Sequence, residues 1–269
     1  MNAFKHLLSA AGAHPPLGTW ITSGSPLVAE ALGCAGFDWA VIDMVQAPLD
    51  TMGAVHLLQA VGGTRMLPVV RVAWRDAGAV ARMLDAGATT LMFSSVGSAA
   101  ETAQAVATTH YPPAGVRAIA GMSRASRYGT APNPLRDADR HMGVIVQIDT
   151  LAALAELEAI AAVPGVEAVF LDPAQLAAAA GFPGQVMHAQ VLATLTQGVQ
   201  RSKAVGAAVG TWGVTPEQVA QYRAAGFDFV AVGSDLGLMM HSARLALAGL
   251  RTQASDHVHT LAGGTRSPA

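Results

Sequence analysis

Residues Ala35-Gly36-Phe37-Asp38-Trp39-Ala40-Val41-Ile42-Asp43 return near the other end of the chain as Ala225-Gly226-Phe227-Asp228-Phe229-Val230-Ala231-Val232-Gly233. In each copy small residues and Gly end a helix, as a left-handed cap requires. A Phe-Asp corner follows, and then a short apolar run leads into a polar or small residue. An uninterrupted apolar run of about five residues suits a strand covered on both faces, as in a parallel sheet. The repeated unit is therefore helix, Gly corner, buried strand, and a functional position at the strand's C-terminal end. Its return near both ends implies a single repeating βα architecture.

The remaining apolar runs fit that unit. Strands are expected at residues 17–22, 39–43, 67–72, 89–93, 144–149, 167–172, 207–210 and 229–233, each followed by a helical pattern. Polar residues sit where helices should start: Ser23 to Pro26, Asp76, Thr150, and Thr215 followed by Pro216, which suits the first turn. Regular strand–helix alternation implies a parallel sheet. Eight units without a linker favour a closed (β/α)8 barrel, and the 269 residues match the typical length of about 250. One domain over residues 1–269 is expected, with a tail from about residue 255 that frays. The connection 110–142 breaks the rhythm with Pro112, Pro113, Pro132 and Pro134 and with Arg117, Arg124 and Arg127. A segment this long is usually functional or an interface element.

Composition narrows the classes of function. Charged residues are 13% of the chain, about half the usual share, and alanine-rich helices suit close packing and a subunit interface. A net charge of −2 with no basic stripe argues against nucleic acid. No apolar run reaches the ~18 residues that span a bilayer, and no signal-peptide core opens the chain. Cytoplasm is the expected compartment. The single cysteine, Cys34, leaves no intrachain disulfide or Cys-based zinc site; it reads as a small buried residue.

In such barrels the active site lies at the C-terminal ends of the strands. Those ends carry Asp43, Arg71, Gln147 with Asp149, Asp172 through Gln175, and Trp212. A lone carboxylate after a buried run reads as a helix cap or salt bridge, since unpaired buried charge is costly. Several converging with Arg71 read as a site. The turn Asp172-Pro173-Ala174-Gln175 opens a helix whose N–H groups suit a substrate carboxylate. Trp212 is expected at the rim on the seventh loop, and Gly233-Ser234-Asp235 as a further candidate for an anion.

Leu17-Gly18-Thr19-Trp20, the 35–43 run, Ala47-Pro48, Val69-Val70-Arg71, Asp85-Ala86-Gly87, Tyr111 through Arg117, Ser123 through Arg127, Val146 through Thr150 and Leu171 through Ala174 together resemble the HpcH/HpaI aldolase family. The resemblance is collinear over about residues 15 to 245. It implies a barrel that makes or breaks a carbon–carbon bond beside a 2-oxo acid, with a divalent metal, Mg or Mn, holding the keto acid. It also implies that Arg71 binds the keto oxygen; Gln147 stands beside that site, Pro173, Ala174 and Gln175 in the turn are expected to contact substrate, and Trp212 is either a further contact or a packing lid. The family's acid–base His falls on Gln46, which exchanges no proton near neutral pH. Asp43 and Asp85 match the residues that orient that His across a subunit contact. The metal positions fall on Asp149, one methylene shorter than the family's Glu, and on Gln175, a neutral amide in place of Asp. A hard cation prefers carboxylates, so a weakened metal site is expected. Three functions follow: a lyase acting on pyruvate or oxaloacetate, a metal-independent condensation of oxaloacetate with acetyl-CoA as in a siderophore-type citrate synthase, or a non-catalytic dicarboxylate-binding barrel. The resemblance further implies a homo-oligomer, a hexamer, with 2-oxo acid and, in the second case, acyl-CoA as small-molecule partners.

Overall fold

A computed structural model describes residues 2–12 and 14–263, with side chains described to residue 251. Eight parallel strands close into a barrel in sequence order. They are β1 Leu17–Ile21, β2 Trp39–Asp43, β3 Leu67–Ala73, β4 Thr90–Ser94, β5 Gly143–Ile148, β6 Val166–Leu171, β7 Ala208–Gly213 and β8 Phe229–Ser234. Helices connect each strand to the next, and their starts are those the polar residues imply. Asp76 accepts from Ala79 N–H at 2.8 Å, Thr150 from Ala153 N–H at 3.0 Å and Thr215 from Gln218 N–H at 3.3 Å. The helical pattern after Thr150 divides into two short helices, Leu151–Ala155 and Leu157–Ala161. β7 runs three residues beyond its expected end at Gly210.

The repeated corner builds the same hydrogen-bonded ring twice. Gly36 and Gly226 hold φ of 101° and 95°, the left-handed region open to Gly at no steric cost. Asp38 then gives its N–H to Leu17 O and accepts from Leu17 N–H on its carboxylate at 2.8 Å. Asp228 does the same with Val209, at 2.9 Å. Each corner thus ties its strand to the strand before it. Cys34, on the helix that leads into the first corner, is exposed rather than buried. Its helix meets the barrel through Ala29, and Cys34 lies on the outer face.

Side chains inside the barrel alternate with those beneath the helices, as strand pleating requires. Trp39, Val41, Val69, Met92, Ile145, Ala168, Phe170, Phe229 and Ala231 form the interior. The large rings need empty space opposite them: a Cβ on Gly18 would meet the Trp39 ring at 2.2 Å, and one on Gly210 the Phe229 ring at 2.2 Å. The first helix, Ala3–Ala10, plugs the N-terminal end with Phe4, which packs edge-on against Trp39 and Phe229. Burying such a ring contributes roughly 1.5–3 kcal/mol, and the plug leaves only the C-terminal end open.

The long connection lies at the plugged end, where β4's return helix delivers it. It holds one helix, Pro134–His141, and walls a cavity of about 1110 Å³ with Tyr111, Arg117, Arg124 and Tyr128. The last helix, Asp235–Gly263, stays helical past residue 255; residues 264–269 lie outside the described residues. Among the described residues no helix is long and apolar enough to cross a membrane.

Candidate active site

The interior alternation continues beyond the apolar layers and sets what reaches the open mouth. Val41 is followed in phase by Asp43, Val69 by Arg71, Ile145 by Gln147 and Asp149, Phe170 by Asp172, and Gly210 by Trp212. Strand register places Asp43 directly opposite Arg71. The two form a buried ion pair at 3.2 Å, and Arg71 Nη1 also donates to Gln46 Oε1 at 3.1 Å. Asp43 Oδ1 accepts from the N–H groups of Val45 and Gln46, so the same carboxylate shapes the loop that carries Gln46. The guanidinium stacks over Trp20 at 5.3 Å. Its Nη1 is saturated, while its Nε–H is buried without a partner.

A second network faces this one. Asp172 Oδ1 accepts from the N–H groups of Ala174 and Gln175 and from Trp212 Nε1–H, at 3.0, 3.2 and 3.2 Å. Asp172 Oδ2 accepts from Gln147 Nε2–H at 2.9 Å. Asp149, half-buried one step further out, accepts from Ser95 N–H at 3.2 Å. Burial pushes the Asp149 carboxyl up; the Ser95 bond opposes this and the nearby Asp172 charge adds to it. Ser95 holds a left-handed φ of 60°, and Trp74 Nε1–H binds its carbonyl. Strained backbone of this kind clusters at functional sites.

Four buried polar atoms at this end lack partners: the N–H groups of Trp20 Nε1 and Arg71 Nε, and the oxygens Gln147 Oε1 and Asp149 Oδ1. Native proteins rarely leave such atoms unpaired. Two unpaired donors and two unpaired acceptors buried at the same end of the barrel mark where a polar ligand would be held.

Several expectations need correction. The N–H groups of Ala174 and Gln175 are not open to a substrate carboxylate, because Asp172 folds back as the helix N-cap and takes both. Pro173, at the first helical position, has no N–H to offer. Trp212 is not on a loop but on β7, half-buried and tied to Asp172. Asp85, expected to act across a subunit contact, ends the helix Ala77–Asp85 at the plugged end of its own barrel and pairs there with Arg117 at 2.9 Å. Arg124 is likewise used inside its own chain, bonding Ala86 O. Asp235 is no anion site, since its buried carboxylate already takes the N–H and hydroxyl groups of Thr22 and Ser23.

That last clasp carries a prediction. Burial raises the Asp235 carboxyl, but the bonds from Ser23 and Thr22 outweigh it and hold the group below 3.8. Its stabilisation is therefore present above the unfolded value and lost as pH falls through the folded one. Asp235→Ala should cost roughly 3 kcal/mol at pH 7, read as a lower midpoint in urea. The deficit should shrink in acid below the unfolded carboxyl value. An equal deficit at all pH values would contradict the clasp.

The model of the HpcH/HpaI aldolase/citrate lyase family matches residues 17–242. The chain belongs to this family. This HpcH/HpaI aldolase is 43% identical over 246 residues to the 2-dehydro-3,6-dideoxy-6-sulfogluconate aldolase of Pseudomonas putida, covering 91% of this chain and 96% of that protein. It is 40% identical to the hydroxypyruvate/pyruvate aldolase of Paraburkholderia phytofirmans, covering 88% and 94%. The crystal structure of a family protein from Burkholderia cenocepacia superposes with a TM-score of 0.89 at 38% identity, covering 93% of this chain and all of that one. The protein is thus a carbon–carbon lyase of the HpcH/HpaI type.

Sequence reasoning did not single out Trp20 or Ser95 as site residues, and it named Asp172 without its bond to Gln147. Trp20 had a signal, since it keeps the inward phase of Gly18 one step higher on β1.

Proposed function

We propose that this lyase cleaves or forms the carbon–carbon bond of a 4-hydroxy-2-oxo acid through the enolate of a pyruvate-type unit. The observation that carries this reading is Arg71: buried, fixed through Nη1 by Asp43 and Gln46, with its Nε–H left unpaired. A preorganised cation in a dry site stabilises charge that develops on a keto oxygen far better than water does. Trp20 Nε1–H supplies a second donor for the keto acid's oxygens. Asp43 cannot share that work, because an ionised carboxylate only accepts hydrogen bonds. The names of the relatives, pyruvate-type aldolases among them, support the same unit.

Among the described residues no three His, Cys, Asp or Glu side chains group as a metal cage. The oxygen donors at the mouth nonetheless fit a hard divalent cation held largely by water and substrate, as Mg²⁺ often is. Asp149 Oδ1 is buried and unpaired, and Gln175 stands exposed on the first turn of the neighbouring helix. Those two residues would hold the ion, which when bound supplies a further positive charge for the enolate. A single carboxylate makes that hold weak. Exposed Leu245, Leu247 and Leu250 on the last helix support a homo-oligomer. Asp85 at the plugged end would act only toward a neighbouring subunit.

Exchange of pyruvate methyl protons for deuterium tests the enolate directly. Exchange should occur, and should quicken with added Mg²⁺ or Mn²⁺. Its absence with either metal and without them would sink this reading, and a thermal shift with pyruvate alone would then favour a binding protein.

A further inference from the structure

The Asp172–Gln147 contact has a consequence that depends on which way the Gln147 amide faces. A carboxylate only accepts hydrogen bonds, so Asp172 Oδ2 at 2.9 Å selects the Nε2 side of the amide. The flipped amide would set oxygen against charged oxygen. Gln147 is wholly buried, and its Oε1 is left unpaired, on the side away from Asp172. Asp172 cannot turn away, because Oδ1 is pinned by Ala174 N–H, Gln175 N–H and Trp212 Nε1–H together.

From this geometry we infer that Asp172 is a positioning residue that fixes Gln147 as a hydrogen-bond acceptor toward the substrate, selecting 2-oxo acids that carry a hydroxyl. The inference rests on the 2-oxo acid reading above. The carboxylate and keto groups of such a substrate offer only acceptors, which suit Arg71 and Trp20. The 4-hydroxyl of the uncleaved aldol is the donor that Gln147 Oε1 matches. Pyruvate has no such hydroxyl. Asp172 therefore acts more strongly on the aldol than on pyruvate.

Asp172→Asn isolates the effect because the helix cap survives it. The three N–H donors at Oδ1 require oxygen there, so the new NH2 must take the place of Oδ2. It then faces Gln147 Nε2, donor against donor, and the Gln147 amide has to turn over. The mouth loses an acceptor and gains a donor. Leaving a buried partner unsatisfied should lower kcat/KM for a 4-hydroxy-2-oxo acid by about 10–100-fold, a larger loss than the same substitution causes in pyruvate methyl exchange. Adding Gln147→Glu to Asp172→Asn should restore most of the loss. Glu accepts from the new NH2 with one oxygen and presents the other to the substrate.

Neutron crystallography reads the amide independently of catalysis. Deuterons on Gln147 Nε2 should face Asp172 in the wild type and the mouth in Asp172→Asn. The inference is overturned if the amide does not turn, if Asp172→Asn keeps wild-type kcat/KM, or if Gln147→Glu fails to rescue it. Should Asp172→Asn not fold, Gln147→Leu leaves the cap intact and should show a loss of the same order; wild-type kcat/KM in that variant also overturns the inference. A wild type inactive toward both pyruvate and 4-hydroxy-2-oxo acids would instead sink the functional reading, and the neutron result would still judge Asp172.

Discussion

Arg71→Ala should lower kcat/KM by about 10²–10³-fold, the usual cost of removing one fixed donor from a site of developing negative charge. It should also destabilise the fold by about 3–5 kcal/mol, because Asp43 would be left buried and unpaired. The two effects have different origins and can be separated. Asp43→Asn keeps an oxygen for the N–H groups of Val45 and Gln46 but removes the stranded charge. Arg71→Ala combined with Asp43→Asn should therefore recover most of the lost stability, at about 2–4 °C per kcal/mol for a chain of this size. Catalysis should not recover. If it returns along with the melting temperature, Arg71 serves only to neutralise Asp43.

Arg71→Lys sharpens the same test. The guanidinium gives Nη1 to Asp43 and Gln46 and keeps Nε free for the ligand. A planar fork can serve both at once; an ammonium is a point charge that cannot. The lysine variant should therefore fold nearly as well as wild type and lose much of the activity. That split, in kcat/KM against melting temperature, is expected of a site residue and not of a structural cation.

The barrel was readable because its strands are dictated by local pattern. The Gly corners at Gly36 and Gly226 and the buried runs after them depend on no distant partner. Pleating carries the same pattern to the mouth, which is why Asp43, Arg71, Gln147 and Asp149 could be named from strand ends. What failed depends on side-chain choices that spacing does not encode. An Asp at the start of a helix can leave the N–H groups open or take them itself, and Asp172 takes them. The apolar pattern ends the seventh strand at Gly210 and gives Trp212 to the loop after it, yet Trp212 keeps the inward phase of Gly210. Cys34 is apolar in character but lies on a helix face that nothing in this chain covers.

Asp149→Asn should raise stability and abolish any metal response. Burial, with the Asp172 charge adding to it, raises the Asp149 carboxyl above its ordinary 3.8, against the pull of Ser95 N–H. The folded state therefore binds this proton more tightly than the unfolded one. By linkage, the stability Asp149 contributes is fully present in acid, below the unfolded value, and is lost as pH rises through the folded value. At neutral pH the carboxylate is a cost to the fold, and Asn, which can still accept from Ser95 N–H, relieves it. The variant should melt higher than wild type at pH 7, and the gap should close as pH falls below about 4. Metal acts in the opposite sense. An ion that binds only the folded state adds about 2.7 kcal/mol at a hundred times its Kd, so Mg²⁺ should raise the wild-type melting temperature and leave Asp149→Asn unmoved. Metal-stimulated exchange of pyruvate protons should fall by about 10²-fold or more, in line with the loss of an electrostatic stabiliser. A variant that still melts higher with Mg²⁺ would place the ion elsewhere. One that melts lower than wild type at pH 7 would mean that the Ser95 contact outweighs the cost of burying the charge.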